Sequence, residues 1–153
     1  DEIIFENDFR RAKERALYLL DYRDYSFKEL FEKLEKNYSE EICYAVMAKM
    51  VELRVINDRK YAENLARQYV EVKKYGKYRA SFEMHKKGLD KELVEEILEP
   101  YEDETQERLD ALVEKKYARY LVDRKGVQKV QNALARQGYS FSDIKAVLEN
   151  YLN

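Results

Sequence analysis

Two chemically reactive residues occur once each in this chain, Cys43 and His85. A thiol and an imidazole can carry out nucleophilic chemistry when they meet and a third group orients the base. Nothing beside either residue supplies that activation. His85 lies in a helical run, Phe82-Glu83-Met84-His85-Lys86-Lys87, and reads as a surface or half-buried side chain, with Cys43 as a buried one. A metal centre needs several N, S or O ligands at defined spacing. The carboxylates of Glu95-Glu96 and Glu102-Asp103-Glu104 read instead as solvated helix ends. Neither phosphate-cradling glycine pattern, GxxxxGKS/T or GxGxxG, is present. The expectation is a protein that is not an enzyme, with no catalytic residue, no metal and no cofactor.

The cations carry more information. Between Lys73 and Lys91 stand Lys73, Lys74, Lys77, Arg79, Lys86, Lys87 and Lys91, against only Glu83 and Asp90. Between Lys115 and Arg136 stand Lys115, Lys116, Arg119, Arg124, Lys125, Lys129 and Arg136, against Asp123 alone. The stretch from Glu92 to Asp110 holds nine acids and a single base, Arg108. A net charge of −2 is therefore a sum of opposed blocks. All of these cations except Lys91 are the candidates for a partner or DNA contact. They could neutralise phosphates or meet an acidic protein surface. A plainer alternative is that bases at helix C-termini and acids at N-termini only complement helix dipoles. Fourteen tyrosines are the other oddity. Those at expected turns (Tyr25, Tyr75, Tyr78, Tyr101, Tyr139) suit inter-helix packing with a wet hydroxyl, and also interfaces.

The elements that position these residues are helices. Four glycines and one proline in 153 residues amount to about 3%, against roughly 12% in average proteins, too few for a β-sandwich or barrel. Apolar residues recur at helical spacing: Ala12, Ala16, Leu17 and Leu20; Ile42, Val46, Met50 and Leu53; Ile144, Val147 and Leu148. Ser26 with Glu29 has capping-box spacing. Ser39, Asp58, Asp90 and Ser140 are further expected caps, and Pro100 marks a boundary after Leu98. About nine helices are expected. No apolar run reaches the ~20 residues of a membrane span, and the first residues lack the pattern of a signal peptide. A lone cysteine fits a reducing, cytoplasmic setting. The chain does not begin with Met and is expected to be part of a longer protein.

The chain also repeats itself. A shift of fifty residues carries Gly76 and Gly88 onto Gly126 and Gly138, and Val94, Ile97 and Leu98 onto Ile144, Val147 and Leu148. All four glycines then hold equivalent places in two copies. In the first third, Ser26 to Leu34 is matched to Ala80 to Gly88, with a longer turn through Asn37-Tyr38. Each copy reads as a long helix followed by two short ones. The expected fold class is all-α, with three tandem three-helix, helix-turn-helix-like repeats (1–56, 57–104, 105–153) forming a curved, elongated array.

Read in order, these segments resemble the RecX family. Ala16 to Leu34, with Arg23, the Ser26 cap, Glu29-Leu30 and Lys33-Leu34, is similar to the family's opening pattern. Asn57-Asp58-Arg59-Lys60-Tyr61-Ala62 follows its Asp-Asp…Phe/Tyr-Ala step, with Asn in place of the first Asp. Glu83-Met84 and Lys87-Gly88-Leu89, then Arg136-Gln137-Gly138-Tyr139-Ser140, match its later Gly-centred segments. The resemblance spans about residues 8 to 152. It implies tandem three-helix repeats and a monomeric, cytoplasmic regulator. The implied partner is the RecA recombinase filament, whose recombination, ATP hydrolysis and co-protease activities are suppressed. It also implies weaker contact with single- or double-stranded DNA. The purely physical alternative is a sequence-specific helix-turn-helix DNA-binding regulator.

Overall fold

A cap followed by an apolar stripe is what starts most of the helices. In the computed structural model, which describes residues 1–152, nine α-helices and no strand are found among the described residues. The first unit comprises α1 (Glu2–Tyr22), α2 (Phe27–Glu35) and α3 (Glu40–Glu52). The second comprises α4 (Asp58–Ala66), α5 (Lys77–Lys86) and α6 (Lys91–Leu98). The third comprises α7 (Thr105–Leu112), α8 (Arg124–Arg136) and α9 (Phe141–Leu148). Ser26 and Glu29 form the capping box on α2, and Ser39 and Ser140 cap α3 and α9. Pro100 sits in the first turn of a 3-10 segment, Glu99–Glu104, that links α6 to α7. Both α4 and α7 widen at their ends into π-helical turns, Arg67–Val72 and Val113–Tyr117.

Each unit buries its own core. Leu30, Leu34, Val46 and Met50 centre the first; Ala62, Ala80, Met84 and Val94 the second; Leu109, Val113, Leu134 and Leu148 the third. None of these buried clusters spans two units. The chain exposes 10369 Å², against roughly 8,200 Å² for a compact monomer of this mass. Tandem stacking with separate cores accounts for that excess and for the elongated form.

At both junctions the end of one second helix meets the start of another. The C-terminus of α5 meets the N-terminus of α2: the buried Ser26 hydroxyl accepts from the Glu29 N–H and donates to the Lys87 carbonyl at 2.5 Å. The C-terminus of α8 meets the N-terminus of α5 in the same way. There the Gly76 N–H donates to the Gln137 carbonyl at 2.8 Å and the Tyr78 N–H to the Gly138 carbonyl at 3.1 Å. Helix starts have free N–H groups and helix ends free carbonyls. The three second helices therefore run head to tail with aligned dipoles.

This geometry revises parts of the sequence reading. Ser26 and Gly76 are the N-caps of α2 and α5, so the shift of fifty reaches the first unit too. It carries Leu30 and Leu34 onto Ala80 and Met84, then onto Val130 and Leu134, all buried. The match of Ser26 to Ala80 is replaced. The turn through Asn37-Tyr38 is no longer than its counterparts, since residues 36–39, 87–90 and 137–140 each connect a pair of helices. Gly88 and Gly138 are equivalent left-handed caps, with φ of 86° and 102°. Gly76 and Gly126 are not: Gly76 caps α5, whereas α8 starts a turn earlier and Gly126 lies inside it. Asn57, not Asp58, caps α4; the Asp58 carboxylate instead accepts from the Phe27 N–H of the first unit at 2.8 Å. Asp90 is an N-cap whose side chain makes no cap bond. Leu53 ends α3 and is 45% exposed, while Cys43 and Met47 complete that helix's buried face.

Candidate interaction surface

The candidate cations fall into three groups. Lys77, Arg79 and Lys86 are held by acids of their own unit. Lys77 pairs with Glu102, whose hydrogen bond raises the ammonium pKa, and Arg79 and Lys86 share Glu83. Arg79 also donates to the Arg136 carbonyl at 3.2 Å and lies over the Tyr75 ring at 4.6 Å. It is a fastener of the second junction. Lys87 serves the first junction instead, through its backbone carbonyl, which accepts from Ser26 as described.

A second group stands free at the start of α8. Arg124 and Lys125 occupy its first two positions, and Lys129 follows one turn later; all three are exposed. Cations at a helix N-terminus face the positive end of the dipole, a cost of about 0.3–1 kcal/mol each. Dipole complementarity accounts for Lys86 and Arg136, which occupy last turns, and fails for Arg124 and Lys125. Arg119 lies nearby with its guanidinium on the Tyr120 hydroxyl at 2.9 Å.

The third group was far apart in sequence and is brought together by the fold. Lys73 and Lys74 end the π-turn of α4, and Lys115 and Lys116 lie within the π-turn of α7. All four border one cleft of about 700 Å³ between the second and third units, floored by Val72, Ala111 and Leu112. None of the four is ion-paired among the described residues. Lys74 adopts a left-handed backbone, φ 62°, and its carbonyl accepts from the Tyr139 hydroxyl of the third unit at 2.8 Å. Burial pushes that hydroxyl's pKa up to about 12. Arg108, also on the cleft, donates to the Tyr101 carbonyl and leaves its buried Nε without a partner.

The tyrosines at the turns serve mostly as packing. Tyr25 and Tyr139 are buried, and Tyr101 bonds Glu71 through its hydroxyl. Tyr78 lies within α5 and is exposed. Cys43 is fully buried, and that burial raises its thiol pKa. His85 is exposed and contacts only the Leu89 carbonyl, so the two do not meet. No helix among the described residues is long and apolar enough to cross a membrane, and no cluster of metal-ligating groups is found among them.

Comparison with known proteins follows the same three-part division. Models of the first, second and third three-helix domains of RecX match residues 12–50, 57–98 and 102–148, in that order. The chain belongs to the RecX family. It is 30% identical to a regulatory protein RecX of Chlorobium phaeobacteroides over 145 residues, covering 94% of this chain and 95% of that one. A regulatory protein RecX of Clostridioides difficile is 29% identical over 99% of this chain and 73% of its own length. The crystal structure of RecX from Lactobacillus salivarius superposes with a TM-score of 0.86 at 27% identity, over 95% of this chain and 97% of that one. The all-α fold of three tandem three-helix units and a regulatory role are thus properties of the family to which the chain belongs.

Proposed function

We propose that this chain is a non-enzymatic regulator that binds the RecA recombinase filament on DNA and suppresses recombination, ATP hydrolysis and co-protease activity. The observation that carries this reading is membership of the RecX family through all three units in order, from residue 12 to residue 148. An elongated body with free cations on its second and third units suits a partner that is itself long and bears both acidic protein surface and anionic strands. We assign the contact to the unpaired cations Lys73, Lys74, Lys115, Lys116, Arg124, Lys125 and Lys129. Lys77 is already paired with Glu102, and Arg79 and Lys86 share the one carboxylate of Glu83. The division into units is placed at residues 56 and 104, with the protein acting as a monomer in the cytoplasm.

A sequence-specific helix-turn-helix regulator is the less well supported reading. In that motif the second helix of the pair enters the major groove. Two of the three helices in that position carry acids on their exposed faces: Glu40 and Glu41 on α3, and Glu92, Glu95 and Glu96 on α6; the third, α9, exposes the single cation Lys145. Carboxylates so placed repel phosphates.

The test is RecA-catalysed strand exchange and ATP hydrolysis on single-stranded DNA with substoichiometric folded protein. Inhibition of both is expected. No effect on either removes the proposal, and enrichment of a defined duplex sequence in a binding selection would favour the alternative.

A further inference from the structure

We propose that the cleft between the second and third units binds an acidic protein segment that carries apolar side chains. Its floor is apolar: Val72 at the end of α4 is 70% exposed, and Leu112 of α7 lies opposite. Its rim holds Lys73, Lys74, Lys115 and Lys116, none with a carboxylate partner among the described residues. The volume, about 700 Å³, falls within the range of sites that enclose a ligand or a few side chains. An exposed apolar floor ringed by cations is the complement of a segment with apolar residues on one face and carboxylates beside them.

The same cleft is poorly suited to a nucleic-acid strand. Glu104 and Glu107 line it as well, and a phosphodiester chain carries a charge at every nucleotide, so it would pass both carboxylates. No aromatic ring lines the cleft, whereas strand-binding grooves stack bases on such rings. A protein segment can place an apolar or neutral residue opposite the two glutamates. The walls are also fixed in advance. The Tyr139 hydroxyl holds the Lys74 carbonyl across the junction, which sets the left-handed turn that presents Lys73 and Lys74. Little ordering of the cleft is then needed on binding.

This inference goes beyond the filament reading and does not depend on it, because its test contains neither recombinase nor DNA filament. The nitrogen-15-labelled chain is titrated with a capped amphipathic peptide of about twelve residues, Glu on one face and Leu on the other. Amide shifts are expected at Val72, Leu112 and Gln137. Replacing the peptide's Glu by Gln, or reversing the rim with Lys115→Glu and Lys116→Glu, should each weaken binding roughly tenfold. Val72→Gln, at an exposed position that does not disturb the core, should also weaken it. Reversal of Lys125 and Lys129, which lie outside the cleft, should leave the affinity unchanged. The proposal is overturned if the peptide does not bind, if its shifts map elsewhere, or if rim reversal has no more effect than reversal at Lys125 and Lys129. It is equally overturned if an oligothymidylate of about twelve nucleotides shifts the same amides and displaces the peptide.

Discussion

The two junctions solve one problem with different chemistry. At the first, a serine side chain stands between a helix end and a helix start: the Ser26 hydroxyl accepts from the Glu29 N–H and donates to the Lys87 carbonyl. At the second, the equivalent position is Gly76, and the backbones bond directly through Gly76 to Gln137 and Tyr78 to Gly138. A Cβ on Gly76 would lie 2.5 Å from the Gly138 carbonyl carbon, so only a bare backbone permits that approach. The relay puts a side-chain atom between the two backbones, which leaves more slack than a main-chain contact. Direct bonding has no such slack. The second junction is therefore the more demanding of the two, and it forms one wall of the cation-rimmed cleft.

The largest effect is expected where the approach is closest. Gly138 has φ 102°, and an added Cβ would meet the Arg79 nitrogen at 2.3 Å. Gly138→Ala combines backbone strain with a clash against main chain, costing about 3 kcal/mol or more in chemical denaturation. Its scattering profile should also show the third unit released from the second. At the first junction, Ser26→Ala removes both the helix cap and the bond to Lys87, an expected loss of about 2 kcal/mol by the same measurement. Gly88→Ala should cost less, about 1–2 kcal/mol. Its φ of 86° is strained for alanine, but an added Cβ would come no nearer than 2.9 Å to Ser26 Oγ and Lys28 Cβ, a milder approach than the 2.3 Å to main chain at Gly138. If Gly88→Ala proves as damaging as Gly138→Ala, the contrast between the junctions fails.

Smaller still is Tyr139→Phe, which deletes the hydrogen bond to Lys74 at about 1 kcal/mol. It should also lower affinity for the acidic peptide, since the turn bearing Lys73 and Lys74 loses its anchor. A dependence on pH of similar size is also expected. The folded Tyr139 hydroxyl titrates near 12, above the ordinary tyrosine value of about 10. A raised folded pKa means that the stabilisation is complete below about pH 10 and is lost as pH rises towards 12. Urea unfolding at about pH 9 and about pH 11 should show that loss, and Tyr139→Phe should reduce it without abolishing it, since burial raises the hydroxyl pKa of Tyr61 and Tyr69 as well.

Much of the architecture is legible in the residues. Helical periodicity, the Ser26–Glu29 box, the serine caps and the left-handed positions of Gly88 and Gly138 are local matters, each decided within a turn or two of chain. Errors arose where a side chain acts at a distance. Asp58 has the right type and place for a cap, yet its carboxylate is used by Phe27, thirty-one residues earlier. Leu53 continues the apolar stripe of α3, but the helix ends there and leaves it in solvent. The cations divided in the same way. That Arg124 and Lys125 are free follows from their position at a helix start. That Arg79 is spent on Glu83 and on the Arg136 carbonyl could not be read from spacing alone.

The sequence by itself determined that the chain is helical, the repeat of fifty residues in its second and third units, and the family, because short-range backbone chemistry and apolar periodicity carry that information. Only the tertiary structure decided that lysines some forty residues apart share one cleft. It also decided that the second helices meet head to tail and that glycine at 76 answers serine at 26. Those facts depend on which free N–H groups find which free carbonyls across separate units. The pairing is settled by stacking in three dimensions, which no local pattern encodes.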